Sequence, residues 1–189
     1  TDWSLWVSDD GSADRTLDLV QAFARRFSPG KVQCIQGPRL GFAANFMSLL
    51  ARPDLRGNYF AFCDQDDVWL PHRLAVTLEA LASVHPHSPA LACGRTEYMD
   101  EHGQPMGESR PAPANCSFEV ALAQNFCGGN TMLINGPARS LLTAIPVATV
   151  SAHDWLAFLL VAGAGGSVLF SDRTLVRYRQ HGGNSLGEN

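Results

Sequence analysis

The sequence predicts an α/β fold: a mostly parallel central sheet with helices on both faces. Three observations carry this. Short apolar runs alternate with longer stretches whose apolar residues recur at helical spacing. Two of the apolar runs end in acidic turns, at the strand ends where open α/β sheets bind ligands. The 189 residues are 46% hydrophobic and 17% charged, which suits one domain with a core and excludes a disordered or fibrous chain.

The elements follow in order. Leu5–Val7 reads as a strand and Ser8-Asp9-Asp10-Gly11-Ser12 as a polar turn. Asp14 caps a helix from about Arg15 to Phe27, with Leu17, Val20, Phe23, Ala24 and Phe27 on its apolar side, and Ser28-Pro29-Gly30 ends it. Val32–Ile35 is a short strand. Behind the turn Gly37-Pro38-Arg39-Leu40-Gly41 comes a helix over Phe42–Leu50. Tyr59–Cys63 is a strand feeding Asp64-Gln65-Asp66-Asp67, and a helix runs from Pro71 to Val84, with Asp67 as its cap. Ala90–Gly94 is the next strand. Gly103–Asn115, rich in Gly, Pro and Ala, reads as a long loop. Leu133–Asn135 is a strand, Pro137 opens a helix to about Ala144, and His153–Ala162 is helical. Val168–Phe170 and Thr174–Arg179 are two strands, and Gln180–Asn189 is a polar, glycine-rich, mobile tail.

Bulk chemistry narrows the function classes. A net charge of -4 argues against a general nucleic-acid binder. The five cysteines include no CxxC pair, and three sit in apolar runs, as reduced core thiols of a cytosolic protein do. The uncharged stretch Trp155–Phe170 is broken by Gly163, Gly165 and Gly166, and it falls short of the roughly 18 to 20 apolar residues of a membrane span.

Four segments carry the candidate chemistry. Three carboxylates crowd into Asp64–Asp67, and such a cluster is relieved most simply by a divalent cation; Mg²⁺ and Mn²⁺ prefer oxygen ligands. The other reading is an acidic turn before a helix. Asp9 and Asp10 form a second acidic turn, which in a parallel sheet would share the first one's edge; its carboxylates suit a nucleobase or ribose, or merely shape the turn. Asp154, in His153-Asp154-Trp155 at a helix start, is either a general base or a favourable charge at the helix dipole. Arg177-Tyr178-Arg179-Gln180-His181-Gly182-Gly183-Asn184 suits a lid over an anionic substrate, with His181 as a further metal ligand or a phosphate donor.

Taken in order, Ser8–Ser12, Asp64–Trp69, His153–Trp155 and Tyr178–His181 resemble the inverting family-2 glycosyltransferases, most closely the bacterial rhamnosyltransferase-like branch that builds surface polysaccharides. The resemblance spans essentially the whole chain. It implies the GT-A fold, a Rossmann-like three-layer sandwich, as a single domain over 1–189. Residues 1–98 would form the nucleotide-sugar-binding half, and 99–189 the acceptor-binding and catalytic half.

It further implies a divalent metal, Mn²⁺ or Mg²⁺, held by Asp64, Asp66 and His181. The donor, dTDP-rhamnose or a UDP-sugar, would meet Asp9, Asp10, Arg39, Asp64, Gly128, Gly129 and Arg179. Gly41 and Asn45 resemble the second donor turn and its helix. Asp154 takes the place of the catalytic base. The acceptor would be a glycan or lipid-linked glycan at the cytoplasmic membrane face, reached by peripheral attachment.

Family members carry a further strand with a Thr/Ser-Tyr-Asn-type motif ahead of the Asp-Asp-Gly-Ser strand. The resemblance therefore implies an N-terminally truncated domain that binds nucleotide sugar weakly or not at all. Three other readings stand beside it. One is a metal-dependent nucleotidyl- or phosphoryl-transfer enzyme, against which no glycine-rich phosphate loop is found. The others are a non-catalytic nucleotide-sugar-binding remnant and a purely structural α/β domain.

Overall fold

The computed structural model describes residues 2–111 and 115–182. Gly183, Asn184 and the rest of the expected tail to Asn189 lie outside the described residues, as do positions 112–114 of the expected loop. The chain divides into two compact units. One comprises the chain up to Arg56 with Ile145–Ser151; the other comprises Gly57–Ala144 and the chain from Ala152 on.

The first unit holds β1 (Leu5–Asp9), α1 (Thr16–Ala24), β2 (Val32–Gln36) and α2 (Phe42–Leu50). β1 and β2 pair in parallel, Leu5 opposite Val32 through Asp9 opposite Gln36, and form a sheet of their own. Ala43, Ala44, Met47 and Leu50 turn one side of α2 into the core, as their i, i+1, i+4 and i+7 spacing requires. α1 buries no residue, so its ends are set by local bonds. Asp14 accepts from the Thr16 N–H and hydroxyl at 3.0 and 2.6 Å, while the last turn tightens as Arg26 and Phe27 donate to the Phe23 and Ala24 carbonyls. The helix is accordingly shorter than the Arg15–Phe27 span of its apolar pattern.

The second unit is built on a six-stranded sheet of β3 (Tyr59–Ala61), β4 (Val68–Trp69), β5 (Ala90–Met99), β6 (Pro105–Glu108), β7 (Leu133–Asn135) and β8 (Ser167–Arg179). The order is β3-β7-β5-β8-β4, with β6 on the outer part of β5. β5 and β8 run parallel along nearly their whole length, whereas β3–β7, β7–β5, β4–β8 and β5–β6 are antiparallel. The expectation of a mostly parallel sheet thus holds for the two longest ladders, and short antiparallel additions make the sheet mixed.

Four helices complete the unit: α3 (Arg73–Ala82), α4 (Phe118–Ala123), α5 (Gly136–Thr143) and α6 (His153–Gly163). Leu81 of α3 packs with Ala90, Ala92 and Leu133 of the sheet, while Ala157, Phe158 and Val161 bury one side of α6. Asn135 caps α5 by accepting from the Ala138 N–H at 3.0 Å, with Pro137 in its first turn.

Three sequence expectations change. The Gly103–Asn115 stretch contains β6, an edge strand with Pro105 as its first residue; the Arg95–Glu108 ion pair, 2.8 Å, ties it down. Val168–Phe170 and Thr174–Arg179 are one strand, because the ladder to β5 skips past Asp172 and Arg173 and resumes with Arg95 opposite Thr174. Acidic turns at a common sheet edge are not found among the described residues, since β1 and β2 pair only with each other.

Candidate functional site

In the first unit, the turn after β1 is held by its own carboxylates. Asp9 is 9% exposed, and its carboxylate accepts from the Gly11 and Ser12 N–H groups at 3.2–3.3 Å. Asp10 turns the other way: its two oxygens accept from the Arg39 N–H at 2.6 Å and the Gly41 N–H at 3.0 Å. It thereby clamps the β2–α2 turn to β1. Asn45 completes the clamp, donating to the Ser8 carbonyl at 2.9 Å and accepting from the Ser8 hydroxyl at 2.6 Å. A side chain at Gly37 would collide with Asn45 and Asp10, so only glycine passes here. Arg39 sits in the left-handed region, φ 59°, which costs on the order of 1 kcal/mol for a non-glycine residue. Its side chain is exposed and lies against Gly11.

In the second unit, the acidic loop lies between β3 and β4. Asp64 is half-buried; burial first, then the charges of Asp67, Asp66 and Asp154, push its carboxyl up to about 7, with Arg73 opposing. Asp66 pairs with His181, Oδ2 to Nε2, at 2.8 Å. Asp67 does not cap α3. Its oxygens accept from the Asn130 amide at 3.0 Å and the Arg179 N–H at 3.1 Å. Burial raises its carboxyl and these two hydrogen bonds oppose the rise. The Arg179 guanidinium donates to the carbonyls of Asp66 (3.2 Å), Asp100 (3.4 Å) and Glu101 (2.9 Å), bracing the loop against the turn after β5.

Asp154 begins α6. Its Oδ2 accepts from the Gly129 N–H and the Asn125 amide, both at 3.1 Å, and its Oδ1 from the Trp155 N–H at 2.7 Å. A carboxylate offers about four lone-pair directions, and these three bonds are the ones Asp154 accepts among the described residues. A Cβ on Gly129 would lie 2.7 Å from the His153 Nε2 and 3.2 Å from the Asp154 Cβ, which makes glycine obligatory. A Cβ on Gly128 would lie 3.0 Å from the Asn130 amide oxygen. His153 is buried edge-on against Phe62, centroids 4.7 Å apart, and burial lowers its imidazole below the ordinary 6.5, with Asp154 opposing.

The second unit thus brings together Asp64, Asp66, Asp154, Gly128, Gly129, Arg179 and His181. Asp9, Asp10 and Arg39 belong to the first unit. Sequence reasoning passed over Asn125 and Arg73; a lone amide and a helix-start arginine give no local signal of what they touch.

The acidic loop suits a divalent cation on one observation: Asp64 is held beside three further carboxylates at a cost its raised pKa records. Among the described residues no three His, Cys, Asp or Glu side chains are gathered as a complete metal site. Cation ligation here would therefore need oxygens from water and substrate, as Mg²⁺ and Mn²⁺ commonly accept. All five cysteines are free thiols. Among the described residues no helix is long and apolar enough to cross a membrane.

The family model described as glycosyl transferase family 2 matches residues 1–135. An uncharacterized protein of Mycobacterium tuberculosis is 28% identical over 179 residues, covering 93% of this chain and 49% of that protein. The dTDP-rhamnosyl transferase RfbG of Shigella flexneri is 23% identical over 203 residues, covering 100% of this chain and 66% of its own length. The crystal structure of S. aureus TarS 1–349 aligns with a TM-score of 0.59 at 17% identity, over 93% of this chain and 51% of that one. That likeness carries the GT-A reading of the fold as an α/β domain with a central sheet. The chain spans about half to two thirds of the length of these relatives.

Proposed function

The chain belongs to glycosyl transferase family 2, and on that premise we propose that it moves a sugar from a nucleotide-diphosphate donor to a glycan or lipid-linked acceptor, with inversion, in the synthesis of a surface polysaccharide. What supports this is the crowding of three carboxylates in the Asp64–Asp67 loop, where Asp66 bonds to His181 at 2.8 Å and burial with the charges of Asp67, Asp66 and Asp154 pushes the Asp64 carboxyl up to about 7. Negative charge concentrated at such cost is suited to a divalent cation on a diphosphate.

Asp64, Asp66 and His181 would hold the Mn²⁺ or Mg²⁺, which when bound neutralises charge on the departing diphosphate. Asp9 and Arg39 would meet the donor's nucleoside and phosphates, with Asp10 shaping their turn, while Gly128, Gly129 and Arg179 line and brace the reacting end. Residues 1–98 would serve chiefly the donor, and 99–189 the acceptor and the chemistry. Asp154 would accept the proton of the acceptor hydroxyl as that oxygen forms its bond to the anomeric carbon. The bond to the diphosphate breaks on the opposite side, and its electron pair leaves with the nucleoside diphosphate. The Asn125 and Gly129 donors keep Asp154 turned toward the reaction.

The name of the Shigella relative supports dTDP-rhamnose as first donor, with UDP-sugars next. The acceptor would be met at the cytoplasmic membrane face through peripheral attachment. A second reading, nucleotide-sugar binding without turnover, draws support from the three N–H donors already on Asp154. Titration calorimetry with Mn²⁺ and dTDP or UDP tests the donor site. Binding that needs the metal and is lost in Asp64→Asn and Asp66→Asn supports the proposal, and metal-independent binding sinks it.

A further inference from the structure

One charged side chain of the second unit has no part in the roles above. Arg73 opens α3, yet its side chain is wholly buried. Its Nη2 donates to the carbonyls of Phe62 (3.2 Å), Asn130 (2.9 Å) and Met132 (3.2 Å). Its guanidinium carbon lies 3.5 Å from the centroid of the Trp69 ring. Nε and Nη1 are buried and find no hydrogen-bond partner among the described residues. Burial lowers the guanidinium to about 10, while Cys63, Asp64 and Asp67 pull it back up.

A buried cation without a directly bonded carboxylate is costly, and a methionine of similar reach would fill the space more cheaply. What the guanidinium supplies is a link. Phe62 stands two residues before Asp64. Asn130 sends its side chain to Asp67, and Gly129 beside it holds Asp154. The guanidinium therefore ties the entry of the acidic loop to the segment that orients the candidate base, and its positive charge is felt by Asp64 and Asp67. We propose that Arg73 is a positioning residue that fixes the acidic loop and the Gly128–Met132 segment as one frame, and thereby sets the affinity for a divalent cation bound with a nucleoside diphosphate. A lysine keeps the charge but not the planar fork with its five N–H donors.

The inference rests on the reading of Asp64 and Asp66 as cation ligands, and two measurements separate them. In the chain labelled with ¹⁵N-arginine and ¹³C-aspartate, the Arg73 Nε–Hε signal should be protected from solvent exchange. It should shift on addition of Mg²⁺ with UDP, together with the Asp64 and Asp66 carboxyl signals. Carboxyl signals that move while Arg73 stays fixed overturn the inference alone. If neither responds, the proposed donor site falls and the inference with it. In Arg73→Lys, the affinity for Mn²⁺ with UDP should drop about tenfold or more while cooperative unfolding is kept. A folded Arg73→Lys chain that binds within about twofold of the parent overturns it, by the same affinity scale. If the lysine chain does not fold, the Arg73 signal of the parent chain decides.

Discussion

Replacing Asp64 by asparagine removes the charge that the acidic loop pays most to hold. The Asp64 carboxyl ordinarily titrates at 3.8 and here is raised to about 7. A carboxyl raised on folding binds more protons in the native state than in the unfolded one. Its contribution is therefore fully present below 3.8 and is lost as pH rises through about 7. At about 1.36 kcal/mol for each pKa unit, the full rise corresponds to roughly 4 kcal/mol. The carboxyl is only half-buried, and water and the loop relax around it, so about 1–2 kcal/mol is the expected change between about pH 5 and about pH 8. Urea unfolding of both chains in chelator reads it directly. The stability gap should widen in favour of Asp64→Asn toward alkaline pH, and saturating Mn²⁺ should narrow it by stabilising the parent alone. His153 is present in both chains, so its own titration cancels. A gap that does not move with pH, or that moves the other way, refutes the reasoning.

Two further outcomes follow from the same region. Gly129→Ala places a methyl group against the His153 ring and the Asp154 Cβ; thermal unfolding should show a loss of about 1–3 kcal/mol. A methyl group accepted without cost would contradict the close packing. His153 carries the opposite pH signature to Asp64. Its imidazole is lowered by burial, so its contribution is present above 6.5 and is lost as pH falls toward the folded value. The His153 contribution should decline below 6.5, against the rise that Asp64 supplies there, and the parent chain should lose stability relative to His153→Gln as pH falls in equilibrium unfolding at several pH values.

How much of this was legible in the sequence depends on how local each signal is. The helix over Phe42–Leu50 and the strand Leu133–Asn135 were readable because apolar spacing and flanking turns define them within the segment. The Val68–Trp69 strand and β6 were not, since each is a strand only through its partner: Val68 faces Arg177, and Pro105 faces Met99. A polar Ser171-Asp172-Arg173 read as a break, because a bulge that keeps the ladder running has no local mark.

The site divides in the same way. The crowding of Asp64, Asp66 and Asp67 is visible in four positions of sequence. The capture of Asp67 by Asn130 and the Arg179 backbone needs residues 63 and 112 positions away. Asp10 is visible in the sequence as an acidic turn residue, but its bonds to the Arg39 and Gly41 N–H groups join positions 29 and 31 residues away. Arg73 carries no local mark of its role, since burial and its bonds to the Phe62, Asn130 and Met132 carbonyls arise only in the tertiary fold.

The central claim, that Asp154 takes the acceptor's proton, is tested most directly by single-turnover sugar transfer in Asp154→Asn. Asparagine keeps the shape and can still accept from the Gly129 N–H, but it cannot take a proton. The transfer step should fall by about 10²- to 10⁴-fold, with metal-dependent binding of the nucleoside diphosphate unchanged. Transfer by Asp154→Asn at the parent rate would contradict it.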